Sequence, residues 1–192
     1  DRCQAVARRL DGRAEVLAVE VATSSATYAW EASGEVAGAR KITLFPGSNY
    51  DEVSSLRRLW RQLAALWRCD TVMIGIGYNQ IDIILLSWLL ALLGVQVVLL
   101  SESKFDDKPR AVRKELAKAL LLSPYRAAIV GGHRHIAYFR FLGFDRRRVI
   151  PGYDTVGLER VRAMGGGKLA PHGTAHASRD FVFVGRFVDK KN

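Results

Sequence analysis

The sequence predicts an α/β fold built on a doubly wound parallel sheet. Two observations carry that reading. Short apolar, β-branched runs alternate with helix-periodic segments, and the connections between them are short and marked by Gly or Pro. With 192 residues the chain suits one domain or slightly more, enough to bury an α/β core. Apolar residues are 49% and charged residues 25%, which excludes a disordered, collagenous or mucin-like chain.

Val6 to Leu10 reads as the end of a helix stopped by Gly12, and Glu15 to Ala22 (EVLAVEVA) as a buried strand. Lys41 to Phe45 is a second strand ending in Pro46-Gly47-Ser48. Asp51 is placed to cap a helix over about 52–68, whose apolar positions Val53, Leu56, Trp60, Leu63 and Trp67 predict a core-facing stripe. Arg57, Arg58, Arg61 and Arg68 fall mostly off that stripe. Asp70 to Gly75 is the next strand.

Ile83 to Leu100 is uncharged and just long enough to suggest a membrane span. Gly94 and the β-branched run after it favour helix, glycine, strand instead. A mixed-charge helix is expected over 104–122, a strand over Arg126 to Val130, a helix from His133 closed by Gly143, and a short strand at Arg148 to Ile150. A brief helix over 157–164 leads to a polar linker opened by Gly165-Gly166-Gly167, and Phe181 to Gly185 starts a new strand. The expected organisation is a domain over 1–164, a linker over 165–178 and the first strand of a second domain over 179–192. The chain reads as a piece of a longer protein.

Twenty-nine basic against nineteen acidic residues give a net charge of +10, and most of the basic ones are Arg. Such a balance attracts phosphates on nucleotides, nucleic acid or an anionic membrane; genomic base bias also produces it. The Arg residues are scattered and lack an aromatic reading motif, so no nucleic-acid partner is expected. Cys3 and Cys69 are too few for a disulfide framework, which points to a reducing, cytoplasmic setting.

Parallel α/β sheets bind ligands at the carboxyl ends of their strands. The candidate loops there hold Gly47; Gly77 and Tyr78; Ser101, Glu102 and Ser103; Gly131, Gly132 and His135; and Gly152 to Asp154. Small residues let backbone amides and helix N-termini approach an anion or a sugar, although glycine also simply ends strands. Gly75 and Gly77 form half a dinucleotide fingerprint, with Gln80 at the third glycine position, so a nicotinamide site is not expected. Asp106 and Asp107 read as helix caps, whereas Glu102 is open to a role with sugar hydroxyls. His172 and His176 lie in the linker with no third metal ligand nearby, and neither metal nor cofactor is expected. Arg186 and Lys191 follow the last strand and suit a diphosphate, the first as a planar fork and the second as a point charge.

Three segments, SESKFDDKPR (Ser101 to Arg110), Ala127 to Val156 around GGHRH and PGYDTV, and FVFVGRFVDKKN (Phe181 to Asn192), carry a resemblance. PGSNY (Pro46 to Tyr50) and IGYN (Ile76 to Asn79) add weaker similarity. Together they resemble the N-terminal half of glycosyltransferase family 4 (group 1), enzymes with two Rossmann-like domains in the GT-B arrangement. The resemblance implies a retaining transferase that moves a sugar from a nucleotide diphospho-sugar, normally without a metal, to a saccharide, lipid-carrier or small-molecule acceptor. It implies an acceptor role for the first domain, donor diphosphate contacts at Arg186 and Lys191, and an acidic catalytic pair beyond Asn192. The 192 residues alone are then expected to be inactive. The family often carries a histidine where this chain reads Ser-Glu-Ser, and Asp-Asn where it has Gly157-Leu158. The alternative is a non-enzymatic nucleotide-binding module, or one that attaches to an anionic membrane through an Arg57, Arg58, Arg61 face.

Overall fold

The computed structural model describes residues 2–25, 34–107, 109–153, 157 and 162–163. The chain divides into two compact units, Asp1–Thr155 and Val156–Asn192, and the architecture below belongs to the first. The expected brief helix over 157–164 falls mostly outside the described residues, and the linker and final strand fall wholly outside them.

Helix α1 (Arg2–Leu10) ends before Gly12, whose φ of 68° provides the left-handed turn that a side chain would resist. Strands β1 (Leu17–Ser24) and β2 (Arg40–Asn49) pair in parallel as a two-stranded sheet. Across that pair Glu20 accepts from the Thr43 hydroxyl at 2.8 Å and meets Lys41 at 3.1 Å, which secures a carboxylate in a half-buried strand. β2 runs past the expected end at Phe45 to Asn49.

A second, four-stranded sheet has the order β3 (Thr71–Ile74), β4 (Gln96–Ser101), β5 (Tyr125–Val130), β6 (Val149–Pro151), all parallel. Its crossovers run through α3 (Ile81–Leu92), α4 (Val112–Leu121) and α5 (His133–Phe141), while α2 (Ser55–Leu66) joins the two sheets. The α/β class with parallel pairing is therefore present. The apolar run parses as α3, Gly94 at φ 86° and β4, and no described helix is long and apolar enough to cross a membrane.

Among the described residues the two faces of the larger sheet are buried unequally. Val72, Ile74, Val97, Leu99, Ala128 and Val149 are buried on one face, in a core shared with α2, α3 and α5. On the other face Val98, Leu100, Ala127 and Ile129 of the central strands are half-buried, while Met73 and Ile150 on the outer strands are exposed. Strands added in one direction by right-handed crossovers send their helices to the same side, which explains the asymmetry. Burying Ile83, Leu90 or Leu99 completely contributes about 1.5–3 kcal/mol each. A smaller core of Val21, Phe45 and Val53 lies at the two-stranded sheet, and Ile76 packs against both.

Helix α2 departs most from expectation. It starts at Ser55 after Ser54, and Asp51 lies instead in a short 3-10 turn, Tyr50–Glu52, where Asn49 Oδ1 accepts from the Asp51 amide at 3.0 Å. Its buried residues are Arg58, Leu59, Gln62 and Leu66, whereas Leu56, Trp60 and Trp67 are exposed. The expected core stripe is thus about a third of a helical turn out of phase. Arg58 is not surface charge either. Its Nε donates to Asp82 Oδ2 at 2.8 Å and its Nη2 to Oδ1 at 3.1 Å, a fork on a fully buried carboxylate of α3.

The expected helix over 104–122 is also shorter. A 3-10 turn, Phe105–Asp107, precedes α4, which follows Ala111 rather than an acidic cap. Asp107 accepts from the Lys104 amide at 2.9 Å inside that turn, and Asp106 pairs with Arg134 at 3.0 Å.

Asp82→Ala should destabilise the fold by about 3–5 kcal/mol, because it strands the Arg58 guanidinium in the core. An Arg58→Leu/Asp82→Leu double variant should cost less than Asp82→Ala alone. Urea unfolding of the three proteins checks this ordering.

Candidate functional site

The carboxyl ends of β3 and β4 bring three of the expected residues together. Tyr78 Oη and Ser103 Oγ hydrogen-bond at 2.9 Å, and the Ser103 amide donates to Ser101 Oγ at 3.2 Å. Ser101 is buried, Tyr78 and Ser103 are half-buried, and Glu102 between the serines is exposed. Strand alternation explains the pattern: Ser101 is the last residue of β4 on the core-facing side, and the chain then turns away.

Gly77 has a packing reason as well as a turn. A β-carbon there would lie 2.8 Å from Asn79 Oδ1, in the turn that the Gln80 amide closes onto the Gly77 carbonyl at 3.2 Å. At Gly75, directly after β3, a β-carbon would meet Leu100 at 3.5 Å and Tyr153 Oη at 3.6 Å, ordinary contact distances, so Tyr153 lies over this strand end without requiring the glycine. The Arg2 guanidinium lies 4.0 Å from the centre of the Tyr153 ring, so α1 begins over the same edge.

At β5 the His135 ring packs directly on Gly131, where a β-carbon would fall 3.0 Å from Cε1. Gly132 caps α5, and its carbonyl accepts from the His135 and Ile136 amides. His135 Nδ1 is buried without a hydrogen-bond partner, leaving an unmet polar atom beside the α5 N-terminus. Gly47 lies at the end of the other sheet; its φ is 73° and its amide donates to Thr23 Oγ1 at 2.9 Å. Arg186 and Lys191 are outside the described residues.

The loop that carries Ser103 is held by a polar network that sequence reasoning missed. Tyr138 donates to Glu115 Oε2 at 2.5 Å and accepts from Lys118 at 2.6 Å and Arg110 at 2.9 Å. Arg110 reaches Glu115 at 3.3 Å and also donates to the carbonyls of Phe105 and Lys104. One guanidinium therefore ties the 103–107 loop to α4 and α5. Burial would raise the Glu115 pKa, but hydrogen bonds from Tyr138 and Lys118 and the nearby positive charges outweigh it, and the net shift is downward. Tyr138 moves up through burial and its bond to that carboxylate.

No protein-family profile and no curated protein sequence matches this chain. What the site can do follows from its chemistry.

Burial raises the Tyr78 pKa, partly offset by its bond to Ser103 and the charge of Arg110. Its hydroxyl is therefore neutral at physiological pH and acts as donor or acceptor, not as a base. Tyr50 behaves likewise, pushed up to about 12 by burial and the Asp82 charge against the pull of Arg58. Tyr50 donates to Gln80, and both line a wide-mouthed pocket of about 430 Å³ between the starts of α2 and α3. Arg58 forms part of that pocket, but its donors already serve Asp82, Ser55 Oγ and the Tyr50 and Val53 carbonyls. Asp82, the one acid in an apolar helical run, was the signal that a buried cation had to lie near it. Among the described residues no group of three His, Cys, Asp or Glu side chains is placed to hold a metal.

A depressed folded-state carboxylate stabilises above its unfolded pKa and loses that contribution as pH falls through the folded value. Glu115 should therefore give an acid limb in stability below about pH 4.5. Glu115→Gln should flatten that limb and lower stability at neutral pH, read from unfolding midpoints between neutral pH and about pH 3.

Proposed function

We propose that the chain is the acceptor side of a retaining glycosyltransferase using a nucleotide diphospho-sugar. The observation that supports this is the hydroxyl cluster of Tyr78, Ser101 and Ser103 at adjoining parallel strand ends. Neutral, preorganised hydroxyls suit recognition of sugar hydroxyls, which are themselves neutral donors and acceptors. Gly131, Gly132 and His135 offer a second set of polar groups at the same sheet's edge, where an open parallel sheet binds its ligands.

In the reaction the bond from the anomeric carbon to the diphosphate oxygen breaks. A bond forms to an acceptor oxygen on the same face of the sugar, and the acceptor proton passes to the departing diphosphate oxygen. Charge on the departing diphosphate needs cations, for which Arg186 and Lys191 are the candidates in this chain. The acidic catalytic pair belongs, on this reading, to chain beyond Asn192, and these residues alone bind without turning over. The resemblance of Ala127 to Val156 and Phe181 to Asn192 to family 4 glycosyltransferases agrees with that division of labour.

Saturation-transfer NMR against a panel of mono- and oligosaccharides and nucleotide sugars tests the proposal. Saccharide binding should weaken roughly three- to tenfold in Tyr78→Phe and in Ser103→Ala, the value of one net hydrogen bond. Nucleotide diphosphates should instead respond to Arg186→Ala/Lys191→Ala. Contact with no sugar in the panel, or binding indifferent to all these variants, would overturn the proposal.

A further inference from the structure

The turn between β3 and α3 has a side that the hydroxyl cluster leaves unused. Tyr78 reaches from it toward Ser103 beyond the end of β4, whereas Gln80, two residues on, accepts from the Tyr50 hydroxyl directly after β2. On that second side lies the pocket of about 430 Å³, with Tyr50, Val53, Ser54, Ser55, Gln80 and Ile81 in its wall. Two residues of chain span at most about 7 Å, so pocket and cluster are neighbours across one turn.

The charges of the wall decide what it can hold. Arg58 is the one cation there, and its five N–H groups are all engaged: two on Asp82, two on the Tyr50 and Val53 carbonyls, and one on Ser55 Oγ. Both Asp82 oxygens are held by that fork, and Asp51 accepts from Ser25 Oγ at 3.3 Å. Two carboxylates against one guanidinium leave the wall net negative, which disfavours a phosphate or carboxylate ligand.

Neutral hydrogen-bonding capacity remains. Ser55 Oγ accepts from Arg58 at 3.2 Å, which turns its own hydrogen elsewhere. Gln80 gives its oxygen to Tyr50 and keeps its amide N–H groups as donors, while Tyr50 Oη keeps lone pairs as an acceptor. Ser54 stands at the N-cap of α2 yet makes no side-chain cap bond, so its hydroxyl is available too. Val53 and Ile81 add apolar surface. Donors, acceptors and apolar patches side by side suit a pyranose, with hydroxyls around its rim and C–H groups on its faces. The Arg58 guanidinium lies 4.2 Å from the centre of the Tyr50 ring, so the buried ion pair fixes the wall and not the ligand.

We propose that this pocket is a second sugar subsite. The ligand recognised across the β3–α3 turn is then a saccharide of at least two units, one at Tyr78, Ser101 and Ser103 and the next at Tyr50, Ser54 and Gln80. The second subsite rests on the sugar-binding proposal and narrows the acceptor to a di- or oligosaccharide.

Heteronuclear NMR titration tests it, using the tightest-binding monosaccharide of the panel as its methyl glycoside and disaccharides that carry the same sugar at either end. At least one disaccharide should bind roughly five- to tenfold more tightly than the monosaccharide, the value of about one net hydrogen bond. It should also shift the Gln80 side-chain amide and the Ser54 and Ser55 backbone amides, which the monosaccharide leaves in place. Gln80→Ala should remove the gain and keep monosaccharide binding as in wild type. Ser54→Ala, on the exposed rim, should reduce the gain without removing a cap bond. Tyr78→Phe should weaken both ligands alike, and unchanged amide spectra away from the pocket confirm that the variants fold. Disaccharides no tighter than the monosaccharide, or a gain that survives both Gln80→Ala and Ser54→Ala, would overturn the second subsite and leave the sugar-binding proposal standing. A response of the Gln80 amide to inorganic phosphate and to no sugar would overturn it by giving the pocket to an anion. Absence of binding by every sugar would overturn both.

Discussion

The Arg58–Asp82 ion pair is the constraint on which the arrangement of this domain depends. Asp82 opens α3 inside the core, where an unpaired carboxylate is intolerable, so a guanidinium has to arrive from elsewhere. Arg58 delivers it from α2 and uses its remaining donors on the Tyr50 and Val53 carbonyls and Ser55 Oγ. One side chain thus sets the rotation of α2, seats α2 on α3 and fixes the turn by which the chain leaves the two-stranded sheet. Gln62, also buried, lies 3.5 Å from the same carboxylate.

The consequences reach the outside of the domain. With Arg58 turned inward, the stripe of Leu56, Trp60 and Trp67 is forced outward, so the apolar exterior is the other side of a polar interior. At the sheet's edge a second buried acid does comparable work. Glu115 gathers Tyr138, Lys118 and Arg110, and Arg110 holds the loop that places Ser103 against Tyr78. The hydroxyl cluster is therefore positioned by charge at a distance of one loop, while its own members stay neutral.

That neutrality bears on function. The tyrosines of the site have pKa values above the free value, and a hydroxyl held protonated recognises rather than abstracts. Recognition of a polyhydroxylated ligand at a parallel sheet's carboxyl edge needs no more than this. Bond-breaking requires charge stabilisation that the described residues of the cluster do not concentrate at one point.

By itself the sequence determined the element types and most of their order. Alternating apolar runs, Gly12, Gly94 and Gly143 as helix stops, and the helix–glycine–strand parse of Ile83 to Leu100 follow from local backbone preferences, which act over a few residues. It also marked Tyr78, Ser101 and Ser103, because strand-end position is a local property. Only the tertiary structure decided which side of α2 faces inward, since apolar periodicity shows that a face exists but not what covers it, and an acid 24 residues away overruled it. On α3, apolar all round, periodicity carried no phase information at all. The unequal burial of the larger sheet's two faces among the described residues and the Glu115–Tyr138 network, joining residues 23 apart in sequence, likewise depend on contacts between elements. Those contacts are energetic bargains between distant parts of the chain, and no local pattern encodes them.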